Sequence, residues 1–156
     1  MARLKVGDVA PAFTLQNQND ESISLDQYHG SPLVVYFYPA DDTPGCTAEA
    51  CGFRDQYEDF VAAGAEVIGI SRDSVETHAK FAHGRKLPFQ LLADPGSKVT
   101  KAYGVNGGLM GLIPGRETFV IDPDGRIAHH FSSQFQISKH IEEALSVIQS
   151  LQKVDN

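Results

Sequence analysis

Two short runs of the chain are almost continuously apolar, LVVYFY at 33–38 and AEVIGIS at 65–71. Such runs are typical of β-strands covered on both faces, because a strand with one wet face alternates apolar and polar residues. Between them, from Thr43 to about Ala63, the apolar spacing is helical, and Gly64 is placed to end that helix. Four apolar side chains are expected on one helix face: Phe53, Tyr57, Phe60 and Val61. The pattern therefore predicts a sheet buried beneath helices.

Weaker patterns on either side predict further strands and helices. Phe13 and Leu15 alternate with polar residues, as do Ile23 and Leu25 beyond a turn at 17–21, which indicates an N-terminal pair of strands. Three more elements are expected in the second half of the chain: a helix at 74–86, a strand at 89–94 and a short helix at 97–103. One side of the first of these helices carries Val75, His78, Ala79 and Ala82.

The C-terminal part combines a hairpin with an amphipathic helix. Segments 116–122 and 126–131 flank the turn Pro123-Asp124-Gly125, which is a strong hairpin signal. The last helix is expected at about 137–151, with a buried stripe of Ile137, Ile141, Leu145, Ile148 and Leu151. Strands alternating with helices and ending in a hairpin imply one α/β domain over residues 1–156, with a mixed central sheet, helices on both faces and an N-terminal β extension. A thioredoxin-like fold fits this order of elements.

Length and charge exclude several classes of protein. The chain has 156 residues, the size of one ordinary domain. Its net charge of −7 argues against a nucleic-acid partner, which needs a basic patch, and against an anionic membrane surface. No segment approaches the roughly 20 apolar residues of a membrane helix, and the first residues contain no apolar signal region. We therefore expect a cytoplasmic protein, although a processed precursor would look the same.

The segment that joins the first buried strand to its helix carries the reactive residues, and sites in such sheets lie beyond the carboxyl ends of strands. Thr43 followed by Pro44 is a helix-start signature, with threonine as N-cap and proline at the first helical position. Cys46 then falls at N3, where a thiolate faces the unpaired amides and the positive end of the helix. Helix N-termini lower cysteine pKa values to between roughly 3.5 and 7.5, so the position favours a nucleophilic thiolate. Asp41 and Asp42, just before it, are expected in a solvated turn.

Cys51 is the second cysteine of the chain and lies five residues further along the same helix. In an α-helix the Cα atoms of such a pair are roughly 8.6 Å apart, whereas a disulfide tolerates at most about 6.8 Å. The two sulfurs therefore cannot bond while this turn stays helical. Either Cys51 is a bystander, or the first turns of the helix unwind in each reaction cycle, and the residues alone leave both readings open.

The segment YPADDTPGCTAEACGFRD at 38–55 resembles the active-site segment of peroxiredoxins, specifically the bacterioferritin comigratory protein (peroxiredoxin Q) subgroup. The family's pattern of proline, three residues, threonine, two residues and cysteine matches Pro39, Thr43 and Cys46. Arg116, in the segment RETF, is similar to the family's arginine-containing strand ahead of the final hairpin. The order of elements agrees over nearly the whole chain.

This resemblance implies a thiol-dependent peroxidase that acts on hydrogen peroxide and organic hydroperoxides. Cys46 would attack the O–O bond and become a sulfenic acid, and Cys51 would resolve it as an intramolecular disulfide. Thioredoxin or a similar dithiol would reduce that disulfide by thiol exchange. The resemblance implies no metal or organic cofactor, and it implies a monomer.

The same resemblance assigns roles to four further residues. The hydroxyl of Thr43 would reach the sulfur and a peroxide oxygen, and Arg116 would stabilise both the thiolate and the charge on the leaving oxygen. Pro39 would shield the sulfur from bulk water, and Glu49 would be a hydrogen-bond partner behind these groups.

Three other classes of protein are alternatives to the peroxidase. A disulfide reductase normally carries C-x-x-C, whereas this chain has four residues between its cysteines. A metal-binding module normally needs four zinc ligands, and the six histidines show no ligand spacing near the two cysteines. A redox sensor would share the sulfenic acid chemistry, and fast turnover with a dithiol would distinguish the enzyme from it.

Overall fold

The computed structural model describes residues 4–105, 115–133 and 135–154, and these contain a single mixed sheet. Its strands are β1 (Thr14–Asn17), β2 (Ser22–Ser24), β3 (Leu33–Phe37), β4 (Glu66–Ser71), β5 (Gln90–Ala93), β6 (Glu117–Ile121) and β7 (Ile127–Ser132). They are arranged in the order β2-β1-β5-β4-β3-β6-β7. β3, β4 and β5 run parallel, while β1, β6 and β7 pair antiparallel with their neighbours. The expected mixed sheet with an N-terminal β extension is confirmed.

The helices are α1 (Pro44–Asp55), α2 (Tyr57–Ala62), α3 (Val75–Arg85), α4 (Lys98–Ala102) and α5 (Ile137–Val154), with a 3₁₀ turn at Leu25–Tyr28. The sheet separates two apolar cores. Side chains of α1, α2, α3 and α5 pack with Val34 and Tyr36 on one face. Val99 and Tyr103, in and just after α4, pack with Val35 and the N-terminal segment on the other face. Because successive residues of β3 serve both cores, the run is apolar throughout, and the expected helices on both faces are confirmed.

The single helix expected from Thr43 to about Ala63 is instead two helices. Gln56 separates them with φ −102° and ψ 5°, outside the α-helical region. After this break, Tyr57 donates its hydroxyl to Glu66 Oε1 of β4 at 2.7 Å. Phe60 is buried as expected, but Val61 is 48% exposed. The break therefore rotates α2 so that Val61 faces solvent.

The C-terminal hairpin and helix match the pattern expected from the sequence. The hairpin turn uses Gly125 at φ 84°, a left-handed conformation that favours glycine. On α5, Ile141 and Ile148 are buried, while the other members of its stripe are partly buried. α5 lies against α1, β6 and β7, so it backs the segment that carries both cysteines. Among the described residues, no helix combines the length and apolar character needed to span a membrane.

Candidate active site

The start of α1 presents Cys46 at the end of the sheet. Thr43 is the N-cap with extended backbone, and Pro44 is the first helical residue. The first helical bond runs from the Thr47 amide to the Thr43 carbonyl at 2.8 Å. The amides of Gly45 and Cys46 precede this bond, so the helix itself offers them no acceptor. They are donors available to an anion at this helix start.

Arg116 meets Cys46 because β6 pairs with β3. Phe37, the last residue of β3, lies opposite Glu117, so Arg116 stands one step beyond the end of β3. Its Nη2 lies 3.4 Å from Cys46 Sγ, and its Nη1 donates to Glu49 Oε1 at 2.7 Å. The cysteine is 1% exposed, the arginine 6% and the glutamate 0%. A buried cation thus bridges the sulfur and the carboxylate.

Burial and charge act in opposite directions on this cluster. Burial alone lowers the pKa of Arg116, but the negative groups of Glu49 and Cys46 outweigh it, and the net pKa is raised. Burial raises the pKa of Glu49 to about 7, against the opposing effect of Arg116. The guanidinium therefore stays charged at every physiological pH, whereas the charge on Glu49 changes near neutrality.

Gly45 makes room for this guanidinium. A Cβ atom at this position would lie 2.9 Å from Arg116 Nη2, closer than real Cβ contacts allow. The far end of the arginine can move aside, so the clash would displace it and leave the helix intact. A glycine immediately before the cysteine is therefore what permits the 3.4 Å contact with sulfur.

Gly45→Ala is expected to slow the oxidation of Cys46 by about tenfold, because part of the positive charge that faces the sulfur is displaced. The free energy of unfolding should change by less than about 1 kcal/mol, since alanine favours the helix. Stopped-flow oxidation kinetics and urea unfolding measure the two quantities. Gly84→Ala on α3 is the matched control, because nothing lies within 4 Å of its added Cβ. An unchanged rate in Gly45→Ala would contradict this account of the contact.

The other residues expected at the site lie close by in sequence but differ in exposure. Thr43 is exposed, and its hydroxyl donates to the Ala40 carbonyl at 2.9 Å rather than to the sulfur. Pro39 is half-buried at the exit of β3. Cys51 is half-buried on α1, and both cysteines are free thiols. Since α1 is helical through both of them, this conformation keeps their sulfurs too far apart to bond.

The loop that leads into α1 is anchored by a buried group that the sequence pattern missed. Asp41, expected in a solvated turn, is buried, and its carboxylate accepts from Tyr38 Oη at 2.6 Å. The other carboxylate oxygen lies 2.7 Å from His78 Nδ1, and His78 Nε2 lies 3.0 Å from the Leu92 carbonyl. The correction has a physical reason: the histidine on α3 supplies a buried partner 37 residues away in sequence. This anchor fixes the loop that carries Pro39.

One group of side chains has the composition of a metal site. Asp41, Asp73 and His78 place a ligand atom each within 4.8 Å of one another. Hydrogen bonds engage these same groups, since Asp73 Oδ2 accepts from the Asp41 amide at 2.8 Å and from Ser71 Oγ at 2.7 Å. These hydrogen bonds give the three residues a structural role, which is to anchor the loop that carries Pro39.

A buried thiol at a helix start, held against a buried guanidinium on a thioredoxin-like sheet, defines a class: the thiol-dependent peroxidases. The model of the AhpC/TSA family matches residues 6–130. The chain belongs to this family, and within it to the peroxiredoxin Q (bacterioferritin comigratory protein) subgroup.

Relatives and solved structures agree with this assignment. The chain is 53% identical to the chloroplastic peroxiredoxin Q of Sedum lineare over 150 residues, which cover 96% of this chain and 81% of that protein. It is 52% identical to the chloroplastic peroxiredoxin Q of Arabidopsis thaliana over 149 residues, 96% of this chain and 69% of that protein. The crystal structure of peroxidoxin BcpB from Mycobacterium tuberculosis superposes with a TM-score of 0.88 at 38% identity, covering 96% of this chain and 99% of that one. These matches confirm the fold and the peroxidase class.

The expected cytoplasmic location is wrong on this comparison. The curated relatives at about half identity, from Sedum, rice, Suaeda and Arabidopsis, are chloroplastic proteins. The absence of an apolar signal region, on which the expectation rested, therefore does not identify the compartment.

Proposed function

We propose that the chain reduces hydrogen peroxide and organic hydroperoxides through a Cys46 sulfenic acid and a Cys46–Cys51 disulfide, which thioredoxin or a similar dithiol then reduces. The observation that carries the proposal is the 3.4 Å contact between Arg116 Nη2 and the buried sulfur of Cys46 at a helix start. Because both thiols lie on one helix, the cycle needs no second subunit, and we propose a monomer.

In the first step the Cys46 thiolate attacks the terminal oxygen of the hydroperoxide. The S–O bond forms as the O–O bond breaks, and the electron pair leaves on the second oxygen as alkoxide or hydroxide, which takes a proton. Arg116 and the amides of the first turn stabilise the thiolate and the departing charge. The hydroxyl proton of Thr43 is engaged with Ala40, so its oxygen is free to accept from the peroxide O–H. Pro39 limits water access.

In the second step the thiolate of Cys51 attacks the sulfur of the Cys46 sulfenic acid. The S–S bond forms and hydroxide leaves, to be protonated to water. This step requires the turn between the two cysteines to unwind, and Glu49 lies within that turn. Unwinding therefore separates its carboxylate from Arg116, which holds it at 2.7 Å in the helical form. An external dithiol then restores both thiols and becomes a disulfide itself.

The range of substrates is supported by one structural relative. The bacterioferritin comigratory protein of Xanthomonas campestris, whose solved structures concern alkyl peroxide reduction and a trapped intermediate, superposes with a TM-score of 0.86 at 27% identity. Coverage is 95% of this chain and 99% of that one. We therefore include organic hydroperoxides among the substrates proposed for this chain.

Cys51→Ser is expected to leave the first oxidation of Cys46 within about twofold of wild type, because Cys51 is half-buried and lies five residues, more than one helical turn, along α1 from Cys46. Turnover with thioredoxin should fall, since no disulfide forms. Mass spectrometry should find Cys46 as sulfenic acid in the variant and as a Cys46–Cys51 disulfide in wild type. Undiminished turnover in Cys51→Ser would contradict the resolving role.

The unwinding has its own readout in wild-type protein. Hydrogen exchange of the α1 amides, residues 44–55, is expected to be faster in the oxidised than in the reduced form. The amides of α3 serve as the internal control, because that helix carries neither cysteine. Equal protection of α1 in both forms would contradict the motion on which the disulfide depends.

A further inference from the structure

His140 lies near one carboxylate oxygen of Glu49, and Arg116 binds the other. The histidine is a residue of α5, and its side chain is 0% exposed. Its Nδ1 lies 2.7 Å from Thr118 Oγ1 and 3.6 Å from Glu49 Oε2, and its Nε2 lies 2.8 Å from the Ser133 carbonyl oxygen. The ring thus joins the helix that carries both cysteines to β6 and to the end of β7.

The neighbours of the ring fix the protonation state of one of its two nitrogens. A carbonyl oxygen only accepts, so Nε2 facing Ser133 carries a hydrogen in every protonation state. Nδ1 faces the hydroxyl of Thr118, which can either donate to a bare nitrogen or accept from a protonated one. A proton can therefore enter or leave Nδ1 while every heavy atom stays in place.

Glu49 presents one oxygen without a partner to this nitrogen. Its Oε1 accepts from Arg116, whereas its buried Oε2 has no hydrogen-bond partner among the described residues. An ionised carboxylate with an unpaired buried oxygen is unfavourable. A proton held by the pair removes this penalty, either on Oε2 as a neutral acid or on Nδ1 as an imidazolium facing the carboxylate.

We propose that His140 is a positioning residue that shares one proton with Glu49, and that this proton determines how much of the positive charge of Arg116 acts on the sulfur of Cys46. The inference rests on the peroxidatic role proposed above for Cys46. With the shared proton present, the charges of the thiolate, the guanidinium and the Glu49–His140 pair sum to zero. Once it is lost, Glu49 neutralises Arg116, and the buried thiolate carries an uncompensated negative charge.

Charged groups on each element packed against Glu49 and His140 shift the pKa values of these two residues. Burial lowers the pKa of His140, as does Arg116, while Glu143 on α5 and Glu117 on β6 act in the opposite direction. Glu49 faces Arg116, which directly precedes β6, and the phenol of Tyr36 on β3, and it shares α1 with Cys46. Burial, which raises the pKa of Glu49 to about 7, places the loss of the shared proton at or above neutrality.

The test follows the rate constant of Cys46 oxidation by hydrogen peroxide between about pH 5 and about pH 9, in the Cys51→Ser background that isolates the first step. The expected profile falls on its alkaline side as the shared proton leaves. In His140→Gln the amide can donate to Glu49 Oε2 and favours the ionised acid, so the fall should move to lower pH by about half a unit or more. In Glu49→Gln, which cannot ionise, the fall should disappear.

His83→Gln is the matched control, because His83 is exposed on α3, a helix that carries none of the charged groups named above. Its pH profile should superpose on the parent profile. A His140→Gln profile that superposes as well, or an alkaline fall that persists in Glu49→Gln, would overturn the proposal. A purely structural role of His140 would lower stability and rate without shifting the midpoint.

A measurement on the wild-type chain covers the case in which a variant fails to fold. Nitrogen NMR of the protein labelled with ¹⁵N-histidine should show Nε2 of His140 protonated throughout, and an Nδ1 resonance that titrates with the midpoint of the alkaline fall. An Nδ1 resonance that stays constant across the range would overturn the shared proton. This titration does not depend on peroxide, so failure of the peroxidatic role of Cys46 would show separately, as peroxide consumption that survives Cys46→Ser.

Discussion

Cys46→Ser is expected to abolish peroxide consumption, with a loss of at least about a thousandfold. A serine hydroxyl is not ionised at neutral pH, and Arg116 at 3.4 Å from the side chain cannot overcome that difference in acidity. The fold should survive, because serine is close to cysteine in size and its hydroxyl can accept from the guanidinium. A reductant-coupled assay with hydrogen peroxide and an organic hydroperoxide measures the loss, and circular dichroism checks the fold.

Cys51→Ser is the control that isolates the position of the thiol, since it removes one cysteine from the same helix and leaves Cys46 beside Arg116. It should react once with peroxide where Cys46→Ser does not react. If Cys46→Ser consumed peroxide at the wild-type rate, or if the two variants behaved alike in the first turnover, another group would be the nucleophile.

The position of Cys46 could be predicted because its determinants are local. Thr43 and Pro44 define a helix start within three residues of the cysteine, and α1 begins at Pro44. The apolar run of β3 likewise follows from its own residues, since both faces of that strand are buried. Arg116 was placed by resemblance to a known family, because the pairing that brings it to the sulfur joins strands far apart in sequence.

The support behind the site could not be predicted, because it depends on contacts across the fold. Asp41 is buried against His78, which lies 37 residues away on α3. His140 likewise contacts Thr118, which lies 22 residues away in sequence. The sequence does indicate that each histidine lies on an apolar helix face. His78 shares a side of its helix with alanines, and His140 is the neighbour of Ile141, a residue of the buried stripe. A histidine on an apolar helix face needs a buried partner. The pattern does not identify that partner.

Arg116→Met is expected to slow Cys46 oxidation by about a hundredfold to a thousandfold, the loss typical of removing a charge-stabilising donor. Measured at about pH 9, where Glu49 is ionised in the parent protein, it should also destabilise the protein by up to about 3–5 kcal/mol, because the carboxylate, which is 0% exposed, loses its cation. Stability and rate fall together in this variant, so it does not by itself distinguish a catalytic role from a structural one.

The double variant Arg116→Met, Glu49→Gln makes that distinction. A neutral amide at position 49 removes the uncompensated buried charge, so most of the lost stability should return, measured as the free energy of unfolding in urea. The rate should remain as low as in Arg116→Met, because no cation faces Cys46 Sγ in either variant. Recovery of the rate together with the stability would mean that Arg116 only holds Glu49 in place. A rate that stays low in a stable protein means that the guanidinium acts on the sulfur and the peroxide directly.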